Sequence, residues 1–199
     1  MNKTIEYYNQ HAQEFCEATV NADMSFCRNK FLSYIPKGGR ILDAGCGSGR
    51  DSRAFGLGGY KVEAFDASEA VCEYAKAYTG LPVRCCGFDD ISGEYRYDGI
   101  WACASLLHLK PEALDDVLEK LYTALRAGGI LYASFKEGSF AGYRNGRFFC
   151  DFTKNTLKII LDRRSLFYPL EYFITTDVRQ DRKNERWINV IAKKMPSVR

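Results

Sequence analysis

The chain has 199 residues, 46% of them hydrophobic, which suits one domain with a sizeable core, with or without a small appendage. No apolar run approaches the roughly 18 residues of a membrane span, and the polar residues 1–15 lack the apolar stretch of a leader. The net charge is only +3, but residues 136–199 hold 14 Lys and Arg against 7 Asp and Glu, so the remainder is acidic; a basic third of this kind admits anions or nucleic acid and equally an ordinary solvated face.

Helical patterns cover roughly residues 4–19 and 24–34. Pro36-Lys37-Gly38-Gly39 then punctuates the chain, and strand and helix signals alternate after it. Residues 40–45 read as a buried strand, followed by glycines and a helix from about Arg50. Residues 61–66 form a second strand, after which Ser68 caps a helix carrying Val71, Tyr74, Ala75 and Tyr78 at helical spacing. Residues 82–88 give a third strand and 97–105 a fourth, whose apolar run from 99 to 104 fits a strand covered on both faces. Pro111 opens a helix with a stripe of Leu114, Val117, Leu118, Leu121 and Leu125, ended by Gly128. A fifth strand spans 129–135, Thr153 caps a helix with Leu157, Ile160 and Leu161, and strands near 172–178 and 187–193 return as a hairpin. Such alternation predicts right-handed crossovers and a mostly parallel sheet, with ligands held beyond the strands' carboxyl ends, after Gly45, Asp66, Phe88 and Ala104. Residues 1–35 read as an N-terminal helical cap and 36–199 as the ligand-binding domain.

The eight cysteines contain no CxxC pair, Cys85 and Cys86 are adjacent, and Cys46, Cys103 and Cys150 sit in apolar runs. Free cysteine behaves there as a small hydrophobe, which points to a reducing cytoplasm and to no metal site.

The chemical signal is Leu42-Asp43-Ala44-Gly45-Cys46-Gly47-Ser48-Gly49-Arg50-Asp51. Glycines after a buried strand let backbone approach a ligand closely. A dinucleotide fold places its glycines as G-x-G-x-x-G against a pyrophosphate; here they stand at 45, 47 and 49, with Arg50 next and Asp43 just before. A carboxylate at that strand end repels a pyrophosphate and suits an ammonium. Asp66, followed by Ala67, lies 21 positions after Gly45, where such folds accept ribose hydroxyls. In Gly87-Phe88-Asp89-Asp90 an acid can accept from an adenine amine while Phe88 packs on the ring.

These segments resemble class I S-adenosylmethionine-dependent methyltransferases from about residue 36 to the end. Leu42–Gly49 resembles their first motif, Asp66 their ribose-binding acid and Phe88-Asp89 their adenine-contacting pair. Tyr97-Asp98-Gly99-Ile100-Trp101-Ala102 resembles their fourth-strand motif, and Leu125-Arg126-Ala127-Gly128-Gly129-Ile130-Leu131 their entry to the fifth strand. The resemblance implies a Rossmann-like α/β fold: a seven-stranded, mostly parallel sheet with helices on both faces, the last strand antiparallel, and an N-terminal helical lid. It implies S-adenosylmethionine as cofactor, held by Asp43, Ala44, Gly45, Cys46, Gly47, Gly49, Asp66, Ala67, Phe88, Asp89 and Ala104. Gly49-Arg50-Asp51, Leu106-Leu107-His108-Leu109 and Ser134-Phe135-Lys136 place the chain nearest to small-molecule methyltransferases of the tellurite-resistance-like kind.

Methyl transfer from a sulfonium needs alignment of nucleophile and methyl carbon, and a base only where the nucleophile carries a proton. His108, after the fourth strand, is the candidate base, against a structural histidine at a helix entry. Tyr8, His11 and Phe15, with Tyr7, share one side of the N-terminal helix as candidate lid residues, against simple core packing. Lys136, Arg144, Arg147, Arg179, Arg182 and Arg186 are candidates for an anion pocket. Lys136 and Arg147 are favoured, the latter in a glycine-spaced loop from Gly138 to Gly146. Cys46 and Cys103 read as inert rather than as ligands of a thiophilic acceptor. The expected acceptor is a small molecule, with an anionic one matching the cations. An RNA or protein acceptor is disfavoured because Ala102-Cys103-Ala104-Ser105 stands where base methylases carry an Asn-Pro-Pro-Tyr-type motif, and no recognition domain is evident. A cofactor-binding module without catalysis is the third reading.

Overall fold

The computed structural model describes residues 2–179 and 182–196. Three helices open the chain: α1 (Lys3–Gln10), α2 (Ala12–Val20) and α3 (Ser25–Leu32). Asn2 caps α1 by accepting from the Thr4 N–H. The first expected helix is broken at His11, whose backbone leaves the helical region (φ −118°, ψ 22°), so α1 and α2 present different faces. The alternation then follows: β1 (Arg40–Ala44), α4 (Arg50–Leu57), β2 (Lys61–Asp66), α5 (Glu69–Thr79), β3 (Val83–Cys85), β4 (Tyr97–Ala102), α6 (Pro111–Ala124) and β5 (Leu125–Lys136). The last third holds β6 (Ala141–Arg144), β7 (Arg147–Cys150), α7 (Lys154–Asp162), β8 (Phe167–Thr176) and β9 (Arg186–Lys194). Short 3₁₀ turns at Phe88–Asp90 and Leu106–His108 follow β3 and β4.

The main sheet has seven strands in the order β3-β2-β1-β4-β5-β9-β8. The first five pair in parallel, and β9 runs antiparallel to both β5 and β8. The strand order reverses at β1, so a crevice opens between the carboxyl ends of β1 and β4. Capping goes as the side chains dictate: the Ser68 and Thr153 hydroxyls accept from Val71 N and Thr156 N, and Pro111 takes the first turn of α6.

Three local departures from the sequence reading have physical reasons. The glycine-spaced segment after β5 is a β6–β7 hairpin, with Arg144 opposite Arg147. Asn145 (φ 48°) and Gly146 (φ 80°) form its two-residue turn, the left-handed pair such turns require. β8 begins at Phe167, earlier than expected; Pro169 lies within it, tolerated because β8 is an edge strand. α6 stops at Ala124, one turn before Gly128, and β5 starts at once.

The core also redraws the cap. Phe31 of α3 is fully buried against Phe55, Trp101 and Tyr132, the last two stacked at 3.8 Å between ring centroids. Gly99 makes the approach possible: a Cβ there would lie 2.5 Å from the Phe31 ring. α3 is therefore part of the sheet's packing, and only α1 and α2 lie over the carboxyl edge, where α1 meets β7 and α5.

Candidate active site

One cavity of about 380 Å³ sits at that edge, a size in the range of small-molecule sites. Its first half is made by β1, β2 and the turns after them. The chain leaves β1 through Gly45 (φ 79°), whose N–H and that of Cys46 donate to the Phe65 carbonyl. A Cβ on Gly45 would stand 2.5 Å from that of Ser105, whose hydroxyl donates to the Ala44 carbonyl at 2.6 Å. The turns after β1 and β4 thus touch, and glycine is the residue that lets them. Ala104, in that second turn, takes the unusual φ of 53° and donates its N–H to the Ser134 hydroxyl.

Asp43 and Asp66 line this half. Asp66 accepts from Gly47 N and Ser68 N, both at 3.0 Å. Burial raises its pKa, with those donors opposing. Asp43 accepts the Ser52 hydroxyl, at 2.6 Å, and burial together with the nearby Asp51 charge pushes it up to about 7. A pair of acids held above their ordinary values is a setting in which a cationic ligand gains most. These residues fit S-adenosylmethionine, whose ammonium and ribose hydroxyls match an acid at β1 and an acid at β2. Cys46, Gly47, Ala67 and Phe88 also line the cavity, and Phe88 packs edge-on to Phe65. Asp89 lines it too, but its carboxylate is 92% exposed and ion-paired with Lys120 at 2.9 Å. Ala44 and Gly49 lie behind the wall, one fully buried and the other packed where a Cβ would meet Thr79.

Beneath this half runs a buried network that sequence reasoning missed. Asp51 takes Arg50 at 2.6 Å, Arg28 at 2.7 Å and the Trp101 indole N–H at 3.0 Å. Burial alone would raise its pKa; the two guanidinium groups outweigh it and hold the carboxyl below its ordinary value. Arg50 beside Asp51 was visible in sequence, but only the fold brings Arg28 and Trp101 to them.

The second half is built by α1, the turn after β4 and the β6–β7 hairpin. His108 Nδ1 meets the Phe148 carbonyl at 2.6 Å and its Nε2 meets the Tyr8 hydroxyl at 2.9 Å. A carbonyl only accepts, so Nδ1 carries the ring proton. Burial lowers the His108 pKa to about 4, with Arg147 adding to the effect, so the ring is neutral and Nε2 accepts the phenol proton. Tyr8 stays a phenol, since burial raises its pKa more than Arg147 lowers it. The Phe148 N–H donates to the Thr4 hydroxyl at 2.9 Å, so one residue of β7 fastens both α1 and His108.

Tyr8, Phe15, Lys136, Arg147 and His108 line the cavity. His11 does not: its ring stacks on Tyr7 at 4.2 Å and its Nδ1 donates to the Tyr7 carbonyl, on the outer side of the helix break. The expected anion pocket is largely self-neutralised. Lys136 pairs with Glu185, Arg144 with Asp151, Arg179 with Asp177 and Arg186 with Glu137. Arg147 instead lies over the Tyr7 and Phe149 rings, at 4.5 and 5.3 Å, and its buried Nε has no hydrogen-bond partner. Trp187, Asn189 and Thr175 from β8 and β9 complete this half, residues whose sequence context gave no signal. Cys46 and Cys103 are neutral thiols, burial raising the one well above its ordinary value and pushing the other up to about 12. Among the described residues no His, Cys, Asp or Glu group could hold a metal, and no helix is long and apolar enough to cross a membrane.

Comparison with known proteins agrees with this geometry. A methyltransferase-domain family model matches residues 41–129, from β1 to the start of β5. The chain is similar to an uncharacterized methyltransferase of Staphylococcus carnosus, 27% identical over 64% of this chain and 65% of that protein. It is similar also to the malonyl-[acyl-carrier protein] O-methyltransferase of Erwinia pyrifoliae, 28% identical over 66% of this chain and 48% of that protein. The chain therefore spans less than two thirds of these curated relatives. Among solved structures, the Burkholderia thailandensis 1,6-didemethyltoxoflavin-N1-methyltransferase, with bound 1,6-didemethyltoxoflavin and S-adenosylhomocysteine, superimposes with a TM-score of 0.81 at 24% identity, covering 96% of this chain and 87% of that one. An S-adenosylmethionine-dependent methyltransferase of Methanosarcina mazei gives 0.72 at 19% identity, covering 82% and 95%. Over residues 41–129 the chain matches a methyltransferase domain, and its fold is that of solved S-adenosylmethionine-dependent methyltransferases.

Proposed function

We propose that the protein transfers the methyl group of S-adenosylmethionine to a small molecule whose nucleophile gives up a proton. The observation that carries this reading is one cavity with two unlike ends: acids and glycines at β1 and β2, and a neutral Tyr8–His108 pair with Arg147 at the other. When bound, the cofactor supplies an electrophilic methyl on a sulfonium. Asp43, Gly45, Gly47, Asp66, Phe88 and Asp89 are its proposed holders. The proton leaving the nucleophile passes to the Tyr8 oxygen as the phenol proton moves to His108 Nε2, and the imidazolium then releases it to solvent. His108 thus acts as base through Tyr8 rather than by direct contact.

Several features support a small acceptor. Thr4, Ile5 and Tyr8 of α1 line the cavity, the candidate cations Lys136, Arg144, Arg179 and Arg186 pair with carboxylates of their own third, and the Burkholderia neighbour holds a small molecule beside its cofactor product. The finer resemblance to tellurite-resistance-like enzymes gains support from Arg50, His108 and Lys136, one from each motif behind it, all facing this cavity. In this reading α1 and α2 form a lid, and the protein works in the cytoplasm. Incubation with S-adenosylmethionine and a fractionated metabolite pool is expected to form S-adenosylhomocysteine, and Tyr8→Phe to suppress it. Cofactor binding with no turnover on any fraction would favour a non-catalytic module instead.

A further inference from the structure

The acceptor half has a donor–acceptor polarity that narrows what it can recognise. The Phe148 carbonyl fixes the proton on His108 Nδ1, which leaves Nε2 as an acceptor. Tyr8 has one proton, and it is committed to Nε2 at 2.9 Å. The Tyr8 oxygen can therefore only accept from the cavity. Beside it stands the opposite function. Arg147 Nη1 donates a long hydrogen bond to the Tyr8 oxygen, at 3.5 Å, and its Nε is buried without a partner. Arg147 can only donate, and its plane is set by the Tyr7 and Phe149 rings.

We propose that Tyr8 and Arg147 together read an N–H beside a carbonyl, the amide edge of a flat heterocycle such as a lactam, imide or cyclic urea. The inference rests on the small-molecule reading above and gives it a chemical class. A simple carboxylate satisfies Arg147 but sets an anionic oxygen against the lone pairs of Tyr8. A ligand with donors alone serves Tyr8 and leaves the Arg147 Nε unmatched. An H–N–C=O edge serves both at once, and an unmatched buried polar group is the main source of discrimination in such sites. The aromatic walls Phe149, Trp187 and Phe15 suit a flat ring. Of the other cations lining this half, Lys136 and Arg182 share Glu185 and Arg179 pairs with Asp177, whereas Arg147 stands against aromatic rings and the Tyr8 oxygen.

The test uses the full chain saturated with S-adenosylhomocysteine and titrated with lumazine, a heterocycle bearing such edges, and with its dimethyl derivative, in which both ring N–H groups are blocked. Lumazine is expected to bind saturably and the blocked form at least about tenfold more weakly, the usual value of one hydrogen bond to a buried partner. Tyr8→Phe and Arg147→Gln are each expected to erase that preference while S-adenosylhomocysteine affinity is kept, which also shows that the variants fold. Equal binding of the two compounds, or no lumazine binding up to millimolar concentration, overturns the inference. Failure of the wild type to bind S-adenosylhomocysteine overturns the proposed function itself, so the two failures are distinct. Nitrogen-15 NMR of His108 gives a second readout. A protonated Nδ1 and bare Nε2 are expected, with only the Nε2 resonance displaced in Tyr8→Phe; a proton on Nε2 in the wild type frees Tyr8 as a donor and ends the proposal.

Discussion

The two halves of the cavity are built in opposite ways. The cofactor half is local: Asp43, Gly45 and Gly47 lie within five residues, and Asp66 reaches back only to Gly47 and forward only to Ser68. The acceptor half is assembled across the chain. Tyr8 meets His108 one hundred residues on, and Thr4 and Tyr8 meet Phe148 and Arg147 farther still. A parallel sheet explains the contrast. Its strand ends bring a short turn and the next acid together by topology, whereas the other wall is whatever the first and last segments lay across the edge. Backbone geometry fixes the cofactor half; side-chain pairing from α1 and the hairpin fixes the acceptor half.

That contrast can be broken at several points. The largest effect is expected beneath the cofactor half. Asp51→Ala strands two guanidinium groups and an indole N–H, and removing one partner of a buried charge network costs about 3–5 kcal/mol. Urea unfolding measures it, and a loss below about 1 kcal/mol would mean that the network is replaceable by water.

The next largest lies in the acceptor half and is set by pH. Unfolded, His108 binds a proton near pH 6.5; folded, only near pH 4. Between those values the unfolded chain holds more protons, so stability falls as pH drops through that window, by about 3 kcal/mol in full. The groups facing the ring are Tyr8, Arg147, the Phe148 carbonyl and the Phe149 ring, none of them a carboxylate that would oppose the loss. Unfolding of His108→Asn is expected to be flatter over this range than wild type, and parallel profiles would show that His108 titrates normally.

Asp66→Ala is expected to weaken S-adenosylhomocysteine binding by about 1–3 kcal/mol, read by calorimetry, since it removes a charged acceptor and releases the Gly47 turn. The smallest change is expected for Arg147→Ala. Methyl transfer should fall while S-adenosylhomocysteine affinity stays within about 0.5 kcal/mol of wild type, the ordinary scatter of changes away from a ligand. Loss of cofactor affinity there would put Arg147 on the wrong side of the methyl group and merge the two halves.

The same contrast governs what the sequence revealed. The glycine turn, the acids at the ends of β1 and β2, and the caps at Ser68, Pro111 and Thr153 are written in short segments with known local physics, whereas the reversed last strand is implied by the family resemblance. Asn145-Gly146 is an equally local hairpin-turn signal, although the wider glycine spacing of this segment suggests a loop. The Tyr8–His108–Phe148 chain was not legible, because nothing local tells Tyr8 apart from Tyr7 or His108 apart from His11. Lys136 misled for a related reason: its charge was plain, and the Glu185 that neutralises it comes from the turn before β9. Phe31 was hidden likewise, since only the smallness of Gly99 on another element admits it to the core.

The central claim is that the local half is a complete cofactor site, and calorimetric titration of the purified chain tests it most directly. One equivalent of S-adenosylhomocysteine is expected to bind, with NAD giving no heat of binding. The affinity for S-adenosylmethionine should weaken as pH falls below about 7, where Asp43 takes up its proton and no longer opposes the ligand's positive charge. Binding of NAD in place of S-adenosylhomocysteine, or cofactor affinity indifferent to pH through that range, would contradict the account.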